Sequence, residues 1–379
     1  NTMTDTDTLL QGGDDLLTLE LSTVLNDDRP VYVVGNFNAW RECDERYEME
    51  KVEAGHYRFT FPEDMTMPKP LLYKYTRGEW ADEELDLFGN IRPNRVLVHQ
   101  KGLIEDRVPR WRSSGLEYHP KYLPQIRIIS EEFEIPQLVK TRRIAALLPY
   151  NYDKTDKRYP VLYLQDGQNL FDDYAPFGSW GVDKKLAILQ EKGMGDVIVI
   201  SIDHAESDRI EEFTPSMKTK LGVGEGKKYV EFLRDTLKPF VDANFRTLSD
   251  RKHTGIGGSS MGGLISIYAG LISPEIYDKL MIFSPALWVI NKIPFSRFNY
   301  RNPHGARVYL YAGGNESEQM IPNVQRFKDS YLSYSGKSDV DFELAIDVHG
   351  IHNEARWGQE FPKAIEWLFF KNEDKETEQ

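Results

Sequence analysis

GIGGSSMGGL, residues 255–264, sets two adjacent serines among glycines. Against the nucleophile-elbow pattern G-x-S-x-G, the window Gly258-Ser259-Ser260-Met261-Gly262 fits with Ser260 at its centre. Ser259 fails, because residue 261 would have to be glycine and is methionine. The pattern has a steric origin. A strand that turns sharply into a helix brings its own backbone close, so the flanking residues must be small while the central side chain projects from the sheet. HTGIGGS reads as that strand and MGGLISIYAGLI as that helix. The helix N-terminus offers the Met261 backbone N–H as one oxyanion donor. Ser259 is then the small neighbour that lets the chain turn, and its hydroxyl is expected to be dispensable.

Working outward, the elbow sits in a series of apolar strand-like runs: RRIAALLP, YPVLYLQDG, DVIVISIDH, KLMIFSP, ARVYLYAGG and VDFELAIDVHG. Several are apolar enough to be buried on both faces. Helical periodicity lies between them, as in GKKYVEFLRDTLKPFVDANF, where Tyr229, Leu233, Leu237, Phe240 and Phe245 are expected along one stripe. Strands alternating with helices predict a doubly wound, mostly parallel α/β sheet whose working residues sit on loops at the carboxyl ends of the strands. The C-terminal stretch PKAIEWLFFKNEDKETEQ reads as a helix opened by Pro362 that dissolves into a charged tail over 371–379. No internal repeat is visible.

The pattern ahead of this region is different. From Leu17 to about Gln100, short alternating stretches (VYVVGNFNAW, GHYRFTF, PLLYKYTRGEW, NRVLVHQ) are broken by turn residues, which predicts a small β-sandwich. KGLIEDRVPRWRSSGLEYHPKYLP reads as a looser interdomain connection with the boundary near Ser113. The expected organisation is a flexible N-terminus (1–16), a β-sandwich module (17–112), a linker (113–123), an α/β domain (124–370) and the tail.

Composition narrows the chemistry. The 379 residues carry a net charge of -13 with no Lys/Arg block, which disfavours nucleic acid and anionic membrane surfaces as partners. No apolar run approaches the roughly 20 residues of a membrane span. A single cysteine, Cys43, excludes an intrachain disulfide and a cysteine metal cluster, and is expected to be a half-buried thiol. The polar start NTMTDTDTLLQGG lacks an export signal. The expected compartment is the bacterial periplasm or exterior if a signal has been trimmed, and otherwise the cytoplasm.

A serine nucleophile needs a base, and the base needs a carboxylate, in the chain order Ser, acid, His for this fold. Only His304, His349 and His352 follow Ser260. His304, in YRNPHGAR, precedes a strand and is at the wrong end of the sheet. His352 is preferred over His349, which ends the strand of AIDVHGIHNEARW. For the acid, GGNESE leaves its strand carrying Glu316 and then Glu318; Glu316 is nearer the strand end and is chosen, with Glu318 and Asp347 as alternatives.

The second oxyanion donor is expected in VLYLQDGQNLFDD, where Gly167 permits a close turn and the backbone N–H of Gln168 or Asn169 can face the reacting carbonyl. Asp166, Asp172 and Asp173 lack further ligands at metal spacing, and the expected chemistry uses neither metal nor cofactor. Trp288, His204, Arg209 and Asn169 lie on loops after strands and are expected to line the acyl or alcohol pocket; for Arg209 a structural ion pair is the alternative.

Taken together, VLYLQDGQNLFDD, RIEEFTP, GGSSMGGLISIYAG, FSPALW, GGNESE and GIHNEARW resemble, in order, the esterase D family, over roughly Pro124 to Phe370. The resemblance implies an α/β-hydrolase fold with Ser260 as nucleophile, Glu316 as acid and His352 as base. It brings in feruloyl and acetylxylan esterases, enterochelin esterases, S-formylglutathione hydrolases and mycolyltransferases. The N-terminal stretches resemble an immunoglobulin-like starch- or glycogen-binding module, which implies a sugar platform of Trp40, Lys74 and Trp80 with a hydrogen bond from Asn94. The expected function is hydrolysis of acyl esters, feruloyl or acetyl, on carbohydrates. The alternatives are a ferric siderophore trilactone esterase and, from another class, a carbohydrate-binding protein with an inactive hydrolase domain.

Overall fold

A computed structural model describes residues 16–24, 29–113, 115–290, 292–294, 305–335 and 339–371. The chain divides into two compact units, Asn1–His119 and Pro120–Gln379.

Among the described residues of the first unit, nine short strands form three sheets. β1 (Leu17–Thr23), β3 (Glu50–Glu53), β4 (His56–Thr60) and β8 (Gly102–Val108) make a four-stranded sheet in the order β3-β4-β1-β8. β2 (Tyr32–Gly35), β5 (Leu71–Thr76) and β7 (Arg95–Leu97) make a second, and β6 (Glu84–Leu85) pairs with β9 (Arg110–Trp111). Alternation explains the packing: Leu17, Leu19 and Leu21 of β1 are buried with Val33, Tyr73 and Tyr75, while Thr18, Glu20 and Ser22 alternate with them. The stretch expected to begin a connection instead contains β8, parallel to β1. Its inward position Asp106 accepts hydrogen bonds from the Tyr73 and Tyr75 hydroxyls, both at 2.6 Å, and this half-buried acid breaks the apolar alternation that would have marked a strand. Cys43, expected half-buried, is exposed.

The second unit is an eight-stranded sheet of the α/β-hydrolase type, ordered β10-β11-β13-β12-β14-β15-β16-β17. Its strands are β10 (Gln125–Ile135), β11 (Lys140–Leu148), β12 (Val161–Gln165), β13 (Ile198–Ile202), β14 (Thr254–Ser259), β15 (Lys279–Phe283), β16 (Ala306–Gly313) and β17 (Val340–Asp347). β11 is antiparallel to both its neighbours, and the remaining pairs are parallel. Successive residues face opposite cores: Val161 and Tyr163 join one hydrophobic cluster, Leu162 and Leu164 the other. That two-sided burial, worth about 1.5–3 kcal/mol for each fully enclosed Leu or Ile, is why these strands read as continuous apolar runs.

Two helical expectations are corrected. The helical run from Gly226 to Asn244 contains a π turn at Leu233–Leu237, so its buried stripe advances in steps of four through Tyr229, Leu233, Leu237 and Val241. Phe240 falls out of phase, is 38% exposed, and packs edge-on against Phe133 of β10. The C-terminal helix begins at Glu354, and Pro362 lies inside it. Its start is fixed by Asn353, whose side chain accepts from Arg356 N–H at 2.9 Å, and its apolar stripe runs through Trp357, Phe361 and Ile365. Burial of that stripe offsets the proline penalty of about 3 kcal/mol. His304, the N-terminal 1–15 and the tail after Lys371 lie outside the described residues.

Candidate active site

At the carboxyl end of β14, Ser260 occupies φ 59° and ψ -122°, between a strand ending at Ser259 and a helix, Met261–Ile272. Such a conformation costs of order 1–3 kcal/mol and is held by packing. Contact requires glycine at 258, where a Cβ would lie 2.7 Å from the Gly262 backbone, and crowds residue 262, where a Cβ would lie 3.0 Å from Asp166 Oδ2. Ser259 is buried.

The Ser260 hydroxyl lies 3.2 Å from His352 Nε2, across 92 residues of sequence. His352 Nδ1 is hydrogen-bonded to Glu316 Oε1. Glu316 sits in the turn after β16, its side chain 2% exposed, and its other oxygen accepts from Gly313 N–H at 2.6 Å and from the Ser284 hydroxyl at 2.8 Å. Ser284 is fully buried just after β15 with φ 46°, and itself accepts from Trp357 Nε1–H at 2.9 Å. The Trp357 ring meets the His352 ring edge-on, centroids 4.8 Å apart. The segments after β14, β15, β16 and β17 therefore hold one hydrogen-bonded row, and its carboxylate has both oxygens occupied.

The other candidates separate. His349 is exposed, and its backbone is tied to Asp347 and Asn315. Glu318 is exposed. Asp347 is bound by Arg356 Nε at 3.0 Å. Partial burial opposes ionisation there, yet the Arg356 guanidinium and the His349 N–H hold the carboxyl below its usual range.

The loop after β12 is rigidly built. Asp166 adopts a left-handed conformation and grips Arg209 through two 2.8 Å hydrogen bonds, so Arg209 is an ion-pair partner as well as a cavity wall. A Cβ on Gly167 would fall 2.5 Å from Asp203 Oδ1. The Gln168 amide exchanges two hydrogen bonds with the His204 backbone, at 3.0 and 2.9 Å. Asn169 N–H is used within the turn by Asp166 C=O at 2.9 Å. Met261 N–H heads its helix, where the first-turn donors have no intrahelical partners.

Ser260, His352, Asp166, Gln168, Asn169 and Arg209 line a cavity of about 670 Å³ with Arg143, Asp172, Pro176, Phe177, Glu206, Glu354 and Trp357. His204 also lines it; burial lowers the pKa of its ring, and its Nδ1 accepts from Glu206 N–H at 2.9 Å. Burial raises the Glu354 carboxyl. Trp288 is half exposed and is not among the residues lining this cavity. Among the described residues no group of three or more His, Cys, Asp or Glu could hold a metal ion, and no helix is long and apolar enough to cross a membrane.

In the N-terminal unit, the Trp40 and Trp80 rings lie 6.4 Å apart at 39°, both partly exposed. Asn94 is exposed. Lys74, expected on the same sugar-binding face, is instead buried against Glu83 at 2.6 Å, because an ammonium on this inward strand position needs a counterion.

Residues 136–368 match the model of the esterase family. The chain belongs to the esterase family. It is a carboxylic ester hydrolase by that membership. Among curated relatives, "Uncharacterized protein YbbA" of Bacillus subtilis is 25% identical over 61% of this chain and 94% of its own length. An endo-1,4-beta-xylanase/feruloyl esterase of Xylanibacter ruminicola is 25% identical over 45% of this chain and 22% of that longer esterase. A siderophore triacetylfusarinine C esterase of Aspergillus fumigatus is 24% identical over 34% of this chain and 44% of its own. Among solved structures, the enterobactin esterase FES of Shigella flexneri in the presence of enterobactin shares the fold with TM-score 0.52 at 14% identity, over 93% of this chain and 92% of that one. The BES protein of Bacillus cereus shares it with TM-score 0.52 at 19% identity, over 64% and 94%.

Sequence reasoning missed Ser284 and Trp357, although both stand in stretches that carry the family resemblance, FSPALW and GIHNEARW. The usable signal was position: each follows a parallel strand at the carboxyl end of the sheet, where the row of Ser260, His352 and Glu316 lies.

Proposed function

We propose that this esterase is a serine carboxylesterase that works through an acyl-enzyme. The observation that carries the reading is the continuous hydrogen-bonded row from Ser260 through His352 to the enclosed Glu316. The Ser260 hydroxyl attacks the ester carbonyl carbon as His352 Nε2 takes its proton. The oxyanion is met by Met261 N–H and by Gln168 N–H, since the neighbouring Asn169 N–H is spent within its turn. Collapse breaks the bond to the alcohol, which leaves with the proton from His352. Water, deprotonated by the same imidazole, then releases the acid and restores the serine. Glu316 fixes the ring tautomer and offsets the imidazolium charge. An intact row at the strand ends is unnecessary for binding alone, which counts against an inactive, carbohydrate-binding reading. Trapping with a fluorophosphonate and locating the adduct by peptide mass spectrometry tests the assignment: modification anywhere but Ser260 rejects it.

The substrate reading is an acyl ester of a carbohydrate, feruloyl or acetyl. It is supported by the relative described as a xylanase/feruloyl esterase and by a cavity that sets Phe177 and Trp357 beside polar Gln168 and Asn169. The paired Trp40 and Trp80 rings suit the apolar face of a pyranose, without Lys74. A second reading, a siderophore ester hydrolase, is favoured by the relative described as a siderophore esterase. Methyl ferulate, acetylated xylan and a siderophore lactone, assayed side by side, separate them.

A further inference from the structure

Two guanidinium groups, those of Arg209 and Arg143, line the catalytic cavity, and each is held by a carboxylate of the protein. Arg209 gives Nε and Nη2 to the two oxygens of Asp166, whose side chain is 5% exposed. Arg143 gives Nε to Asp203 Oδ2 at 2.9 Å and Nη2 to Asp203 Oδ1 at 3.4 Å. Each cation is therefore neutralised by a carboxylate of the protein. His204 adds no compensating charge near neutral pH, since burial lowers the pKa of its ring.

Of the other carboxylates on the cavity wall, Asp172 and Glu206 are exposed and screened by solvent, whereas Glu354 is half-buried. It lies at the first turn of the helix Glu354–Ile365, just beyond His352, and lines the cavity together with Ser260. Among the described residues it enters no ion pair within 4.0 Å. Burial raises the pKa of its carboxyl, Asp166 adds to that rise, and His352 and Arg209 oppose it, so the charges that act on Glu354 all belong to the site. A carboxylate in this half-buried position is screened less than one at the surface.

We propose that Glu354 sets the charge selectivity of the site: it turns away esters that carry a negative charge close to the scissile carbonyl and admits neutral or cationic ones. The inference rests on the esterase reading, and it names the substrate class that this reading leaves open. An anionic acyl or alcohol group would meet the Glu354 carboxylate with no unpaired arginine to receive it. Neutral sugar esters meet no such opposition, and the Glu354 carboxylate is a hydrogen-bond acceptor for a hydroxyl group.

The test compares two esters of equal acyl length, 4-nitrophenyl hexanoate and the monoanion mono(4-nitrophenyl) adipate, on the full chain, on Glu354→Gln and on Glu354→Lys. The readout is the ratio of kcat/KM for the anionic ester to that for the neutral one, which cancels overall changes in activity. The ratio is expected to rise roughly tenfold in Glu354→Gln and further in Glu354→Lys, as a like charge is removed and then reversed at an effective dielectric constant of about 20. A ratio unchanged in both variants, with turnover present, overturns the proposal while leaving the esterase reading standing. Absence of turnover of both esters by the unmodified chain overturns the two together.

Discussion

The indole N–H of Trp357 donates to the Ser284 hydroxyl at 2.9 Å, and that hydroxyl in turn donates to Glu316. Two residues 73 positions apart thereby fix the carboxylate that orients His352. Ser284→Ala removes a hydrogen bond to a charged acceptor, worth about 1.5–3 kcal/mol. A fall in kcat of roughly tenfold or more is expected with little change in KM, and Trp357→Phe should do the same more weakly. A rise in KM alone would place both residues in substrate binding instead.

Crowding at the elbow predicts a steep penalty for a single methyl group. Gly258→Ala would bring Cβ to 2.7 Å from the Gly262 backbone, where neither partner is a flexible side-chain end. Loss of activity with a clear drop in melting temperature is expected, whereas Gly102→Ala, which meets nothing within 4 Å but has φ +81°, should cost stability alone.

The pair between Arg209 and Asp166 braces the loop that carries Gln168. Lysine cannot reproduce the two-nitrogen grip, so Arg209→Lys should lower kcat/KM several-fold or more, with slowed acylation in pre-steady-state traces. Unaltered acylation would show that the loop holds its geometry without the pair.

Acid stability has a defined sign at Asp347. Its folded pKa lies below the ordinary value of about 3.9, so the contribution of its pair with Arg356 is complete above the unfolded pKa and fades as pH falls through the lower folded one. Asp347→Asn should therefore be less stable than the parent at pH 7, with the gap in urea midpoint narrowing towards pH 3. A gap constant with pH would remove the ionic contribution.

Retention on starch and xylan gels tests the N-terminal unit. Replacing Trp40 and Trp80 together with alanine should abolish retention if their paired rings meet sugar, and Lys74→Ala should act only through stability, because its ammonium is buried on Glu83. Equal retention of the Trp40 and Trp80 double variant would exclude the platform.

Much of the α/β unit was legible because its physics is local. Strands buried on both faces must be apolar throughout, and the elbow must carry small residues on either side of Ser260. What escaped reading depends on distant partners. β10 is an edge strand with exposed Ile126 and Ile128, so it lacks the continuous apolar signature. β8 hides its alternation behind Asp106, whose partners Tyr73 and Tyr75 come from another strand. The π turn that displaces Phe240 leaves no mark in the periodicity. Ser284, Trp357 and the Lys74–Glu83 pair are meaningful only once the sheets bring their partners together.

The most direct test is the pair of single variants at the elbow, assayed for kcat/KM on 4-nitrophenyl acetate. Ser260→Ala should lose turnover by roughly 10⁴-fold or more, while Ser259→Ala keeps most of it. Substantial turnover by Ser260→Ala, or its loss in Ser259→Ala alone, would contradict the assignment of the nucleophile.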